Sequence, residues 1–127
     1  MLNIEFATVL HCIDGRVQLP VFYYLQERFG VPYIDLITEA GMVRHIADPL
    51  ENPVKLATFE SLKISMDRHG SRQVALVAHE DCAGNPTTQA IQEEQLRLGL
   101  HQLERNFPGM ERLGIWCPLE GAIQEIL

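Results

Sequence analysis

Val74-Ala75-Leu76-Val77-Ala78-His79-Glu80-Asp81-Cys82 is the stretch that decides the fold: five apolar residues run without interruption into four that carry chemistry. No polar residue alternates within Val74 to Ala78, so both faces of this strand are covered, as in a parallel sheet between helices. Working outward, Ile4 to Ile13 is a similar run, through Phe6, Ala7, Val9 and Leu10, and it stops at Asp14-Gly15. Pro20 then suits a first helical turn, and Phe22, Leu25 and Phe29 recur at helical spacing until Gly30. Tyr33 to Thr38 reads as a strand closed by Glu39-Ala40-Gly41, and a loop follows up to Asn52-Pro53, an N-cap with proline at the first helical position. Phe59, Leu62 and Met66 mark the next helix, which ends near His69-Gly70. Beyond Asn85-Pro86, Leu96, Leu100, Leu103 and Phe107 mark another, ended by Pro108-Gly109, and Leu113 to Cys117 is the last strand.

Strands alternating with helices indicate one α/β domain over residues 1–127, with three layers and a predominantly parallel sheet of about four strands flanked by helices. The 127 residues suffice for one core without a staple, and the composition, 46% hydrophobic and 21% charged, is that of a globular protein. A net charge of -7 argues against nucleic acid or an anionic membrane as a partner. Met1 to Arg16 carries Glu5 and no Lys or Arg before Arg16, unlike a secretory signal, and the three cysteines cannot all pair. The expectation is a cytoplasmic chain in which thiolate chemistry and metal binding are both open.

Two motifs stand at equivalent places. Cys12-Ile13-Asp14-Gly15-Arg16 leaves the first strand and His79-Glu80-Asp81-Cys82 leaves the third. In a parallel α/β sheet the C-terminal strand ends share one edge, where ligands bind. With the first and third strands adjacent, in the order 2-1-3-4, Cys12, His79 and Cys82 offer two thiolates and an imidazole to one point. That set suits Zn²⁺ with a fourth position open. A phosphate loop would need five residues between cysteine and arginine, whereas three separate Cys12 from Arg16.

Cys-x-Asp-x-Arg after a first strand, joined by His-x-x-Cys after a third, resembles the β-class carbonic anhydrases. Glu39-Ala40-Gly41 falls where that family has Asn-Ala-Gly, while Gly15 and Ala83 stand where it has serine and glycine. The resemblance implies zinc on Cys12, His79 and Cys82, with Asp14 and Arg16 as a catalytic pair beside it. It implies reversible hydration of carbon dioxide to bicarbonate by a zinc-bound hydroxide. Two thiolates already neutralise Zn²⁺, so neighbouring groups must help; the expectation is that Asp14 accepts a hydrogen bond from the hydroxide while Arg16 keeps Asp14 ionised, with Asp14 on the metal as a competing state. Hydrolysis of carbonyl sulfide or carbon disulfide and a non-catalytic zinc module are the alternatives. It also implies a homodimer or higher homo-oligomer, with which exposed apolar helix faces at Phe22 and Phe59 would agree. Asp81 reads as a local structural group, Glu80 as facing solvent or the mouth of the site, and Cys117 as core. His11, His45, His69 and His101 have no ligand spacing, and only His45 lies near a site loop. Gly41 and Gly84 read as places of close backbone approach or positive φ.

Overall fold

A computed structural model describes residues 3–126. In chain order the elements are β1 (Phe6–His11), α1 (Gly15–Phe29), β2 (Tyr33–Thr38), α2 (Met42–Ala47), α3 (Pro53–His69), β3 (Gln73–His79), α4 (Gln89–Asn106), β4 (Glu111–Cys117) and β5 (Gln124–Glu125). They form one five-stranded sheet in the order β2-β1-β3-β4-β5. The first four strands are parallel, in the expected order 2-1-3-4, and β5 adds an antiparallel edge through Ile115 opposite Glu125 and Trp116 opposite Gln124. Two polar residues have no period to read, which is why β5 has no sequence signal.

The pleat divides the core into two layers. Ala7 and Val9 of β1, with Ala75 and Val77 of β3, pack under Val17, Val21, Leu25 and Phe29 of α1. Leu10, Val74, Leu76 and Ala78 face the other way, onto Met42, Val43 and Ile46 of α2, Leu62 of α3, and Leu96, Leu100 and Leu103 of α4. Each fully buried side chain of this kind contributes about 1.5–3 kcal/mol through removal from water. Both faces of β1 and β3 are therefore covered, as their unbroken apolar runs require.

Three expectations are corrected. α1 begins at Gly15, so Pro20 lies inside the helix rather than in its first turn. Asp14 makes the earlier start favourable by capping it, its side chain accepting from Arg16 N, and Pro20 forfeits only the bond to the Arg16 carbonyl. The loop after Gly41 contains the short helix α2, too brief for a periodic signal, which buries Met42, Val43, Ile46 and Ala47. Phe22 and Phe59 are not exposed helix faces: Phe22 packs against the α1 layer, and Phe59 meets Phe107 edge to face at 5.2 Å in the other. The exposed apolar residues of those helices are Leu19, Tyr23, Leu56 and Ile64. The Asn52 cap with Pro53 at the helix start is as expected, with Asn52 accepting from Lys55 N. No helix among the described residues is long and apolar enough to cross a membrane.

Candidate metal centre

β1 and β3 are direct neighbours, with Leu10 level with Leu76. Their C-terminal ends therefore deliver the two motifs to one place. Cys12, His79 and Cys82 are 4%, 1% and 5% exposed, and their ligand atoms all lie within 4.8 Å of one another. Among the described residues this is the one group of three or more such side chains close enough to share an ion.

The donor chemistry fits a metal. The Cys12 and Cys82 sulfurs are 3.8 Å apart, and two negative sulfurs at that separation repel unless a cation lies between them. Burial pushes the Cys82 thiol above its usual pKa and proximity to Cys12 adds to this, while the Gly84 and Asn85 amides oppose it. Gly41 N–H donates to Cys12 Sγ at 3.5 Å. His79 Nδ1 lies 2.9 Å from the Glu80 carbonyl, which only accepts, so Nδ1 carries the proton and Nε2 the lone pair. His79 Nε2 is buried and has no hydrogen-bond partner among the described residues. A buried imidazole nitrogen left with a free lone pair beside two thiols is what a soft-to-borderline ion such as Zn²⁺ requires.

Gln92 of α4 fixes His79 from behind: its Nε2 donates to the His79 carbonyl at 2.9 Å, and its Oε1 accepts from His79 N at 3.3 Å. Sequence reasoning missed this residue. The available signal is a glutamine on the stripe continued by Leu96, Leu100 and Leu103, where only a partnered amide is tolerated.

Asp14 lies beside the cluster rather than in it, with Oδ2 4.0 Å from His79 Nδ1. Arg16 grips it with Nε to Oδ1 at 3.1 Å and NH2 to Oδ2 at 2.7 Å. These bonds hold the Asp14 carboxyl at about 2, below the usual carboxylate range. Asp81, between His79 and Cys82, also accepts from Arg16. Glu80 is exposed and accepts from Leu119 N. Cys117 is buried in the α1 layer, its thiol pushed up by burial and then by Asp14.

A separate cleft of about 370 Å³ between β2 and α3 shares no residue with the cluster and includes Asp35, Ser65 and His69. There Asp35 Oδ2 accepts from Ser65 at 2.6 Å and lies 2.7 Å from His69 Nδ1. The carboxylate is the hub and the imidazole does not bridge it to the serine, so the order needed to activate a nucleophile is absent.

Residues 2–127 match the family described as "Putative carbonic anhydrase". Among curated proteins no match is found. Among solved structures, the chain is similar to β-carbonic anhydrase isoform I of the protozoan Trichomonas vaginalis, at 14% identity and a TM-score of 0.65, covering 100% of this chain and 86% of that one. It is also similar to a carbonic anhydrase from Glaciozyma antarctica, at 16% identity and a TM-score of 0.65, over 95% of this chain and 81% of that one. One of two tetrameric β-carbonic anhydrases from the ascomycete Sordaria macrospora aligns at 13% identity and a TM-score of 0.67, over 97% and 81%. At these identities the likeness is one of fold.

Proposed function

This chain belongs to the "Putative carbonic anhydrase" family, and from that membership we propose that it hydrates carbon dioxide reversibly to bicarbonate and a proton. The observation that carries the proposal is the convergence of Cys12, His79 and Cys82 within 4.8 Å, with His79 Nε2 unpartnered. Zn²⁺ on these three residues would supply Lewis acidity and make water a nucleophile near neutral pH.

The protein's own groups do the rest. Cys12 and Cys82 would hold the ion as thiolates, and because two thiolates would already balance its charge, neighbouring groups must assist in activating water. Asp14 stays ionised through the neutral range because Arg16 binds both its oxygens. It can therefore accept a hydrogen bond from a water in the site and orient that water toward the carbon of the substrate. Arg16 orients Asp14. Glu80 and Gln92 hold the His79 ring and backbone in place. For assembly, we propose a homodimer or higher homo-oligomer, supported by the exposed Ile13, Leu19 and Tyr23 at and beyond the first motif.

The test is oxygen-isotope exchange between carbon dioxide and water on the zinc-loaded wild type and on Asp14→Ala. Exchange by the wild type and its loss in the variant, with zinc content unchanged, is the expected result. Zinc without exchange contradicts it. Hydrolysis of carbonyl sulfide or carbon disulfide would then assign the site to a sulfur substrate, and no turnover of any of the three would make the chain a zinc-binding module.

A further inference from the structure

We propose that Asp81 is a positioning residue for the Asp14–Arg16 pair, an inference that rests on reading Cys12, His79 and Cys82 as a metal centre. Asp81 is the only non-glycine residue among those described with a positive φ, 57°. Left-handed backbone is unfavourable for a residue with a Cβ, and aspartate is among the few that tolerate it. With the chain so turned between His79 and Cys82, Asp81 meets Arg16 twice. Its carbonyl accepts from NH2 at 3.2 Å and its Oδ2 from NH1 at 3.3 Å.

The guanidinium is therefore held along two edges. Asp14 takes Nε and NH2, and Asp81 takes NH1 and NH2. A guanidinium is planar with its donors in a fixed fork, so fixing one edge orients the other. Asp14 and Asp81 belong to different loops, two residues after Cys12 and one before Cys82. Arg16 thus ties the loop of β1 to the loop of β3, and Asp81 stops Arg16 and Asp14 from turning together away from the metal. Arg16 and Asp81 side chains are 50% and 74% exposed, so the contact acts through orientation and its effect on rates is a few-fold.

The experiment uses Asp81→Gly and Asp81→Asn, each in the wild type and in Arg16→Gln. Glycine adopts the same backbone without strain and removes the carboxylate; asparagine tolerates that backbone and keeps an acceptor oxygen. Two readouts are taken: the rate at which a chelator strips the metal, and the visible absorption of the cobalt-loaded protein. Asp81→Gly should lose metal about three-fold faster, the scale of an exposed charge contact, with an altered cobalt spectrum, and Asp81→Asn should match the wild type. In Arg16→Gln, neither substitution should change anything further. An Asp81→Gly protein identical to wild type overturns the proposal, as does an effect that persists undiminished in Arg16→Gln, which would mark a purely structural role. A wild type that takes up no metal overturns both this inference and the functional one. Metal uptake with the expected Asp81→Gly effect but no carbon dioxide exchange supports this inference and contradicts only the functional one.

Discussion

Gly41 and Gly84 meet backbone to backbone, one from the loop after β2 and the other just past Cys82. A Cβ on Gly41 would lie 2.4 Å from the Gly84 carbonyl oxygen, and Gly41 has φ 63°. Neither peptide has room to retreat, because Gly41 N–H reaches Cys12 Sγ and Arg44 Nε holds the Gly84 carbonyl. Gly41→Ala should therefore cost about 3 kcal/mol or more, from left-handed strain plus overpacking, and should lower metal affinity. Beyond its chain neighbours and its own helix backbone, no described residue comes within 4 Å of the Gly15 Cβ position, so Gly15→Ser should stay within about 0.5 kcal/mol. Denaturant unfolding of both variants checks the contrast; equal stability of the two would contradict it.

Among the described residues, Gln92 is the sole side chain that satisfies both the N–H and the carbonyl of His79. Gln92→Leu keeps the volume and leaves two buried backbone groups short of partners, at about 1–3 kcal/mol each. Loss of this support should weaken metal binding about 10- to 100-fold. Competition against a chromophoric chelator measures it, and unchanged affinity would show that Gln92 only fills space.

Cys117 is as buried as the other two cysteines but belongs to the α1 layer, outside the cluster. Cys117→Ser should retain one metal per chain while losing about 1–2 kcal/mol of stability from the buried hydroxyl. Cys82→Ser should lose the metal. Metal analysis of the two proteins side by side decides the assignment, and loss of metal from Cys117→Ser would mean that a ligand has been misassigned.

His11 gives the metal-free protein an acid sensitivity. It is fully buried with neither ring nitrogen partnered among the described residues, and burial, then the nearness of His79, brings its pKa down from 6.5 to about 4. The unfolded chain therefore binds a proton between these values that the folded chain does not. Stability from this group is complete above about pH 6.5 and declines as pH falls toward about 4, a loss of about 3 kcal/mol. Urea unfolding of metal-free protein at pH 7 and 4.5 should show that decline, and His11→Leu should flatten it. An unchanged pH slope in His11→Leu would rule out His11 as the source.

Much of the fold is readable because β1 and β3 are covered on both faces, so their apolar runs stand out and their ends mark the loops that carry the two motifs. Strand adjacency then predicted that Cys12, His79 and Cys82 converge. What escaped reading depends on tertiary context. α2 and β5 are too short to show a period, and the covering of Phe22 and Phe59 has no local sign because their packing partners come from distant parts of the chain. Gln92 shows in the sequence only as a glutamine on an apolar helix stripe, because the backbone groups it binds belong to β3, and the contacts of Asp81 with Arg16 join residues 65 positions apart. The Asp81 backbone in particular is visible only once residue 81 is seen beside Arg16.

If two sulfurs and one imidazole of this chain hold a single zinc ion, X-ray absorption at the zinc edge of the purified protein will resolve that shell. One zinc per chain is expected, with two sulfur neighbours at about 2.3 Å and one imidazole nitrogen at about 2.0 Å, the remainder being a light atom. A shell of four sulfurs, a shell without sulfur, or a protein that binds no zinc would contradict it.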